Sequence, residues 1–280
     1  MLSLPADDFL RRLPAATTTI DRIRLESLVY ASDLIANAYQ TIHDTGLKTG
    51  KIAATPMDRA AMFSSAWTII DQINAARQLH SGLQRKMNSP TQDRFYEIAD
   101  IARRLRNKMD HLPQMAVNLA SRKGTVSPLF GSLSYILVGD ENIQVVNGER
   151  KIVRPTTVTH LSGSILAGDV TFKIVNPAGR QIPNKISFVE LYAFGEEIQI
   201  DDCLIHFYNL MVEVSVDYFS ITMAWAQKEA ALVGKSVDEL LMTIANNLTV
   251  CATFLTDAEA SEEEAKLGTD PSSVPIHPSE

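Results

Sequence analysis

Between residues 20 and 120 apolar residues recur at steps of three and four, the period of a helix with one buried face. Ile20, Ile23, Ala31, Leu34, Ala38 and Ile42 predict a first long helix ending near Gly46. A second opens at Thr55-Pro56-Met57-Asp58, where threonine suits the N-cap, proline the first helical position and aspartate the reciprocal cap. Phe63, Ala66, Trp67, Ile70 and Ile73 then face the core, with Gly82 near the end. Ser89-Pro90-Thr91-Gln92 repeats that start signal and leads a stripe of Phe95, Ile98, Ala102, Leu105, Met109 and Leu112. Pro113 lacks an amide donor and crowds the carbonyl of Met109, so the third helix is expected to bend or stop at His111. A short helix over 115–122 follows before Lys123-Gly124.

The pattern changes between about Leu129 and Ile200, where apolar runs shorten and β-branched residues accumulate. Asn147-Gly148 between 143–146 and 151–153 is a hairpin signal, because both residues tolerate the positive φ of a tight primed turn. Further strands are expected over 133–138, 170–175, 186–194 and 197–200, giving five or six in all, mostly antiparallel. Asp201-Asp202 is then expected to cap a helix carrying Leu204, Phe207, Tyr208, Met211, Ser215, Tyr218, Phe219 and Trp225. Residues 203–225 are apolar nearly all round, which predicts burial against both the chain's own core and a second subunit. Ser236-Val237-Asp238-Glu239 is a capping box for a last helix through Leu240, Ile244, Leu248 and Leu255. The tail from Asp257 is too poor in apolar residues to offset its ordering entropy and is expected to be disordered.

Charge refines this plan. The chain carries −7 overall, yet residues 77–123 hold ten Lys/Arg against four Asp/Glu, and the tail from Asp257 holds seven acids and one lysine. A basic stretch of that density suits a phosphate-bearing partner or a solvated helix face. The opening residues lack the uninterrupted apolar stretch of a signal peptide, and charges inside 203–225 argue against a membrane span, so a cytoplasmic protein is expected. Cys203 and Cys251 form no disulfide or metal pattern, Cys203 and His206 have no matching pair, and neither a metal nor a cofactor is expected.

The basic stretch contains Arg106-Asn107-Lys108-Met109-Asp110-His111. On these residues the chain resembles the HEPN superfamily, whose ribonuclease members carry arginine, a polar residue and, four to six positions on, histidine. The resemblance spans roughly residues 20–135 and a later helix. It implies an α+β protein: an antiparallel helical bundle interrupted by a strand-rich insertion before its later core helix. The plan is an arm (1–18), the first part of the bundle (19–128), the insertion (129–200), helices completing the bundle (201–256) and the tail (257–280).

The resemblance further implies an endoribonuclease of toxin or defence type, independent of metal, with a site shared across a homodimer and a neutralising partner protein. Arg106 would hold phosphate through its planar, permanently charged fork, His111 would move a proton, and Asn107 would orient the scissile group. Arg103, Arg104 and Lys108 would bind the RNA backbone. Two other readings stay open. Arg106 pairs with an acid such as Asp110 while His111 satisfies a carbonyl at the bend, or the surface serves a non-catalytic RNA-binding, protein-interaction or regulatory module.

Overall fold

The computed structural model describes residues 3–50, 52–84, 88–121, 128–139, 142–146, 149–152, 155–163, 174–176 and 185–241. Four long helices, α1 (Thr19–Thr49), α2 (Pro56–Ser81), α3 (Pro90–Asp110) and α5 (Ile200–Val233), pack on one another. Short α4 (Leu112–Ser121) and α6 (Val237–Leu240) follow α3 and α5. Phe95 of α3 and Phe207 of α5 stack with ring centroids 5.5 Å apart in the middle of this layer. A four-stranded antiparallel sheet, in the order β4 (Thr156–Leu161), β1 (Ser132–Leu137), β5 (Ile186–Ala193), β6 (Glu196–Gln199), packs against the helices. Strands β2 (Ile143–Val146) and β3 (Glu149–Ile152) pair separately, with Val146 opposite Glu149, as the hairpin signal anticipates. The protein is therefore mixed α+β, with all its described strands antiparallel.

Helix starts follow local chemistry closely. Thr55 and Asp58 form the full reciprocal cap of α2, and Ser236 with Glu239 does the same for α6. At α3 only half of the expected box forms: the Ser89 hydroxyl accepts from the Gln92 amide and donates to Glu213 on α5, 2.9 Å away, while Gln92 Oε1 is buried without a partner.

Four expectations are corrected by tertiary contacts. First, α1 does not end at Gly46 but runs on to Thr49, and Gly46 instead marks a close approach. A Cβ there would lie 2.5 Å from Ile186 Cδ1 and 3.3 Å from Tyr135 Cζ, so glycine lets the sheet seat on the helix. Second, Ile20 and Ile23 are exposed, and the buried stripe of α1 runs through Asp21, Leu25, Leu28, Ile35 and Ile42. Third, Asp201 and Asp202 do not cap α5 from outside; β6 passes directly into the helix and both acids occupy its first turn. Asp201 instead accepts from the Val189 amide (2.7 Å) and the Tyr39 hydroxyl, beside Phe188, which holds φ 55° where the β1–β5 register shifts. Fourth, β4 exists where no strand was expected; of the strand expected over 170–175, residues 174 and 175 are not in a strand and 170–173 lie outside the described residues.

The expected arm is tied in. Leu4, Leu10 and Leu13 are buried, and Arg11 grips Asp33 of α1 with two hydrogen bonds of 2.6 and 2.9 Å. The continuation of the last helix, Cys251 and the acidic tail lie outside the described residues. No described helix is long and apolar enough to cross a membrane.

Candidate functional site

Helix α3 presents the motif because its two faces differ so sharply. Phe95, Ala99, Ala102 and Leu105 are buried toward α2 and α5, which turns Arg103, Arg104, Asn107 and Asp110 outward and leaves Arg106 and Lys108 half-buried at the edges. The helix ends at His111, whose φ of −105° and ψ of 32° break the helical run, and α4 resumes at once with Leu112-Pro113. The proline thus acts as expected: the helical run breaks at His111, two residues before it. The His111 and Asn107 side chains are exposed. Among the described residues no side-chain hydrogen bond or ion pair accounts for the histidine at that position.

The cations are placed differently from what their density in sequence suggests. Arg106 is held from two sides: its Nε lies 2.9 Å from Asp71 on α2, and its fork also reaches Asp110 one turn along α3. Arg104 and Lys108 both bond Glu196 at the start of β6, at 3.2 and 2.9 Å, and Lys108 also donates to the Phe194 carbonyl. Arg103 and Arg77 share Asp100. Five cations are therefore matched by four carboxylates, two of which, Asp71 and Glu196, come from outside the basic stretch. Half-burial pushes the Asp71 carboxyl up, Arg106 offsets part of this and Asp110 adds to it. At Glu196 burial acts upward too, but the hydrogen bonds from Lys108 and Arg104 outweigh it and the carboxyl is lowered.

Protein-family models, curated proteins and solved structures all lack a match to this chain. The site must be read from its own geometry.

Asn107 and His111 are exposed at and just before the bend, Arg106 is held beside α2 five residues before it, and Arg103, Arg104 and Lys108 lie on the same last turns of α3. Asp71 and Glu196 are the participants that sequence reasoning did not find. Asp71 follows Ile70 on the polar side of α2 and Glu196 opens a short strand, so nothing local marks either as a partner of α3. No group of three or more metal-ligating side chains forms among the described residues. Cys203 is fully buried, and burial raises its thiol well above the ordinary range, which fits a core residue.

Proposed function

We propose that the chain is an HEPN-like, metal-independent endoribonuclease of toxin or defence type that acts as a homodimer. The observation that supports this best is the bend at His111: a histidine with no packing role is exposed one turn beyond an exposed asparagine and a half-exposed arginine. In the proposed reaction the ribose 2′-oxygen attacks the adjacent phosphorus and loses its proton. The bond to the 5′-oxygen breaks, that oxygen takes up a proton, and a cyclic phosphate remains. Arg106 would bind the phosphoryl oxygens, His111 would carry one of the protons, Asn107 would orient the group, and Arg103, Arg104 and Lys108 would hold the flanking backbone. RNA must first displace Asp71 and Asp110 from Arg106, and exposed ion pairs of this kind are worth only about 0–1 kcal/mol.

The dimer is proposed on α5. Ile205, Val212, Val216 and Phe219 are all exposed at steps of seven, four and three, the spacing of a helix seam that packs on another helix. A neutralising partner protein belongs to the toxin reading.

The pairing of every one of these cations with a carboxylate of the same chain favours a second reading, a non-catalytic RNA-binding or regulatory interaction module. One set of measurements separates the two. Mixed RNAs are incubated in EDTA with the wild type, His111→Ala and Arg106→Lys, while RNA affinity, melting temperature and mass in solution are followed. Cleavage by the wild type that leaves cyclic phosphate ends, lost in both variants at unchanged melting temperature, supports the nuclease. RNA binding without cleavage by the wild type selects the module. A monomer mass at micromolar concentration removes the shared site.

A further inference from the structure

Between α2, the end of α3 and the loop entering β1 lies a cavity of about 520 Å³, within the range of small-molecule sites. Its walls are largely apolar and aromatic: Phe63 and Trp67 from α2, Met109 from α3, and Phe130 at the mouth, which is 38% exposed. Among the described residues Arg59 is the one charged side chain lining it. That guanidinium donates to the Ala54 carbonyl at 2.8 Å, and among the described residues no carboxylate pairs with it. Its neighbour Asp58 is committed elsewhere, to Lys48 and to the cap at Thr55.

Trp67 is only 8% exposed, its ring packs against Phe194 at 6.0 Å, and its indole N–H is closed off behind the cavity wall, so Arg59 is left to meet a charged ligand head. The mouth is a fixed structure. Ser162 Oγ accepts from the Phe130 amide at 3.1 Å, and the Ser162 amide donates to the Gly131 carbonyl. Gly131 itself holds φ 88°, where a Cβ would meet the Tyr192 carbonyl oxygen at 2.2 Å.

We infer that this cavity binds a small apolar carboxylate with a flat, aromatic-sized body, its carboxylate on Arg59 and its body between Phe63, Met109 and Phe130. A singly charged head matches one guanidinium that no described carboxylate neutralises. A phosphate would bring more charge and more oxygens than this one group satisfies, and the apolar walls would leave them unsolvated. The inference is independent of whether the Arg106–His111 segment cleaves RNA.

The test is calorimetric titration of the full chain with 2-naphthoate and with its neutral analogue 2-naphthamide. The naphthoate is expected to bind the wild type, and Arg59→Gln to weaken it by about tenfold or more, the loss of one charged hydrogen bond. The naphthamide should bind the wild type about tenfold more weakly and be indifferent to Arg59→Gln. Tyr30→Ser, on the exposed side of α1, should leave naphthoate binding unchanged. If Arg59→Gln does not fold, the naphthamide comparison decides alone. Absence of naphthoate binding at millimolar concentration, equal affinity for the two compounds, or loss of binding in Tyr30→Ser rather than Arg59→Gln would overturn the inference.

Discussion

Tyr135→Phe tests the main tie between sheet and helices. Tyr135 is fully buried on β1, and its hydroxyl lies 3.1 Å from His160 Nε2 on β4, 3.2 Å from Thr49 Oγ1 and 3.3 Å from the Gly46 carbonyl on α1. Removing the oxygen leaves two of these groups satisfied. The Gly46 carbonyl keeps the Gly50 amide at 2.9 Å, and the Thr49 hydroxyl keeps the Gly46 carbonyl at 3.4 Å. His160 Nε2 has no second partner among the described residues, and the residue is 9% exposed, so water cannot freely replace the phenol. The expected cost is that of one buried polar atom left unsatisfied, about 1–3 kcal/mol, with no cavity contribution because the ring remains. For a chain of this size that corresponds to a melting temperature lower by roughly 2–4 °C per kcal/mol. Denaturant unfolding of Tyr135→Phe, His160→Leu and the double variant measures the coupling directly. In the His160→Leu background the loss of the hydroxyl should cost about 1 kcal/mol less than in the wild type. Additive effects would show that the 3.1 Å contact contributes nothing and that the network reasoning is wrong.

Two further outcomes follow from the same structure. Gly131→Ala should destabilise the protein by several kcal/mol, on the order of 2–4, since the new Cβ meets a backbone carbonyl at 2.2 Å in a conformation that L residues avoid; a melting temperature within two degrees of wild type contradicts this. Stability should also fall as pH drops below about 6.5. Burial depresses both His80 and His160, with Arg59 adding to the effect at His160 while Glu213 and Asp58 oppose it, so the unfolded chain binds more protons than the native one from the ordinary value of 6.5 down to the folded values. Above that window the stabilisation is fully present. Urea midpoints at pH 7 and pH 5 check it, and equal midpoints would refute the depressed values.

The places where sequence reasoning succeeded and failed divide along one physical line. Thr55-Pro56-Met57-Asp58, Ser236-Val237-Asp238-Glu239 and the His111-Leu112-Pro113 bend were legible because a cap or a proline acts on backbone atoms within four residues. The buried faces of α2 and α3 were legible because helical periodicity is itself a local property. Strand β4, with three threonines, a valine and a histidine but no clean alternation, is a strand because β1 pairs with it, and that partner lies some twenty residues away. Gly46 read as a helix stop because glycine is a common one; its purpose is the side chains of Tyr135 and Ile186, which approach from a sheet ninety or more residues distant.

Sequence alone determined the starts of α2, α3 and α6, the hairpin and the bend at His111, because each depends on neighbours along the chain. Tertiary structure alone decided how much of the basic charge is free. A window of residues 77–123 counts ten cations against four acids, but packing α3 between α2 and β6 delivers Asp71 to Arg106 and Glu196 to Arg104 and Lys108. It also decided that Arg59, which no carboxylate among the described residues neutralises, lines a cavity walled by Phe63 and Trp67, with Phe130 at its mouth. Charge interactions act through space over a few ångströms, so no linear count anticipates which acids the fold brings alongside a given arginine.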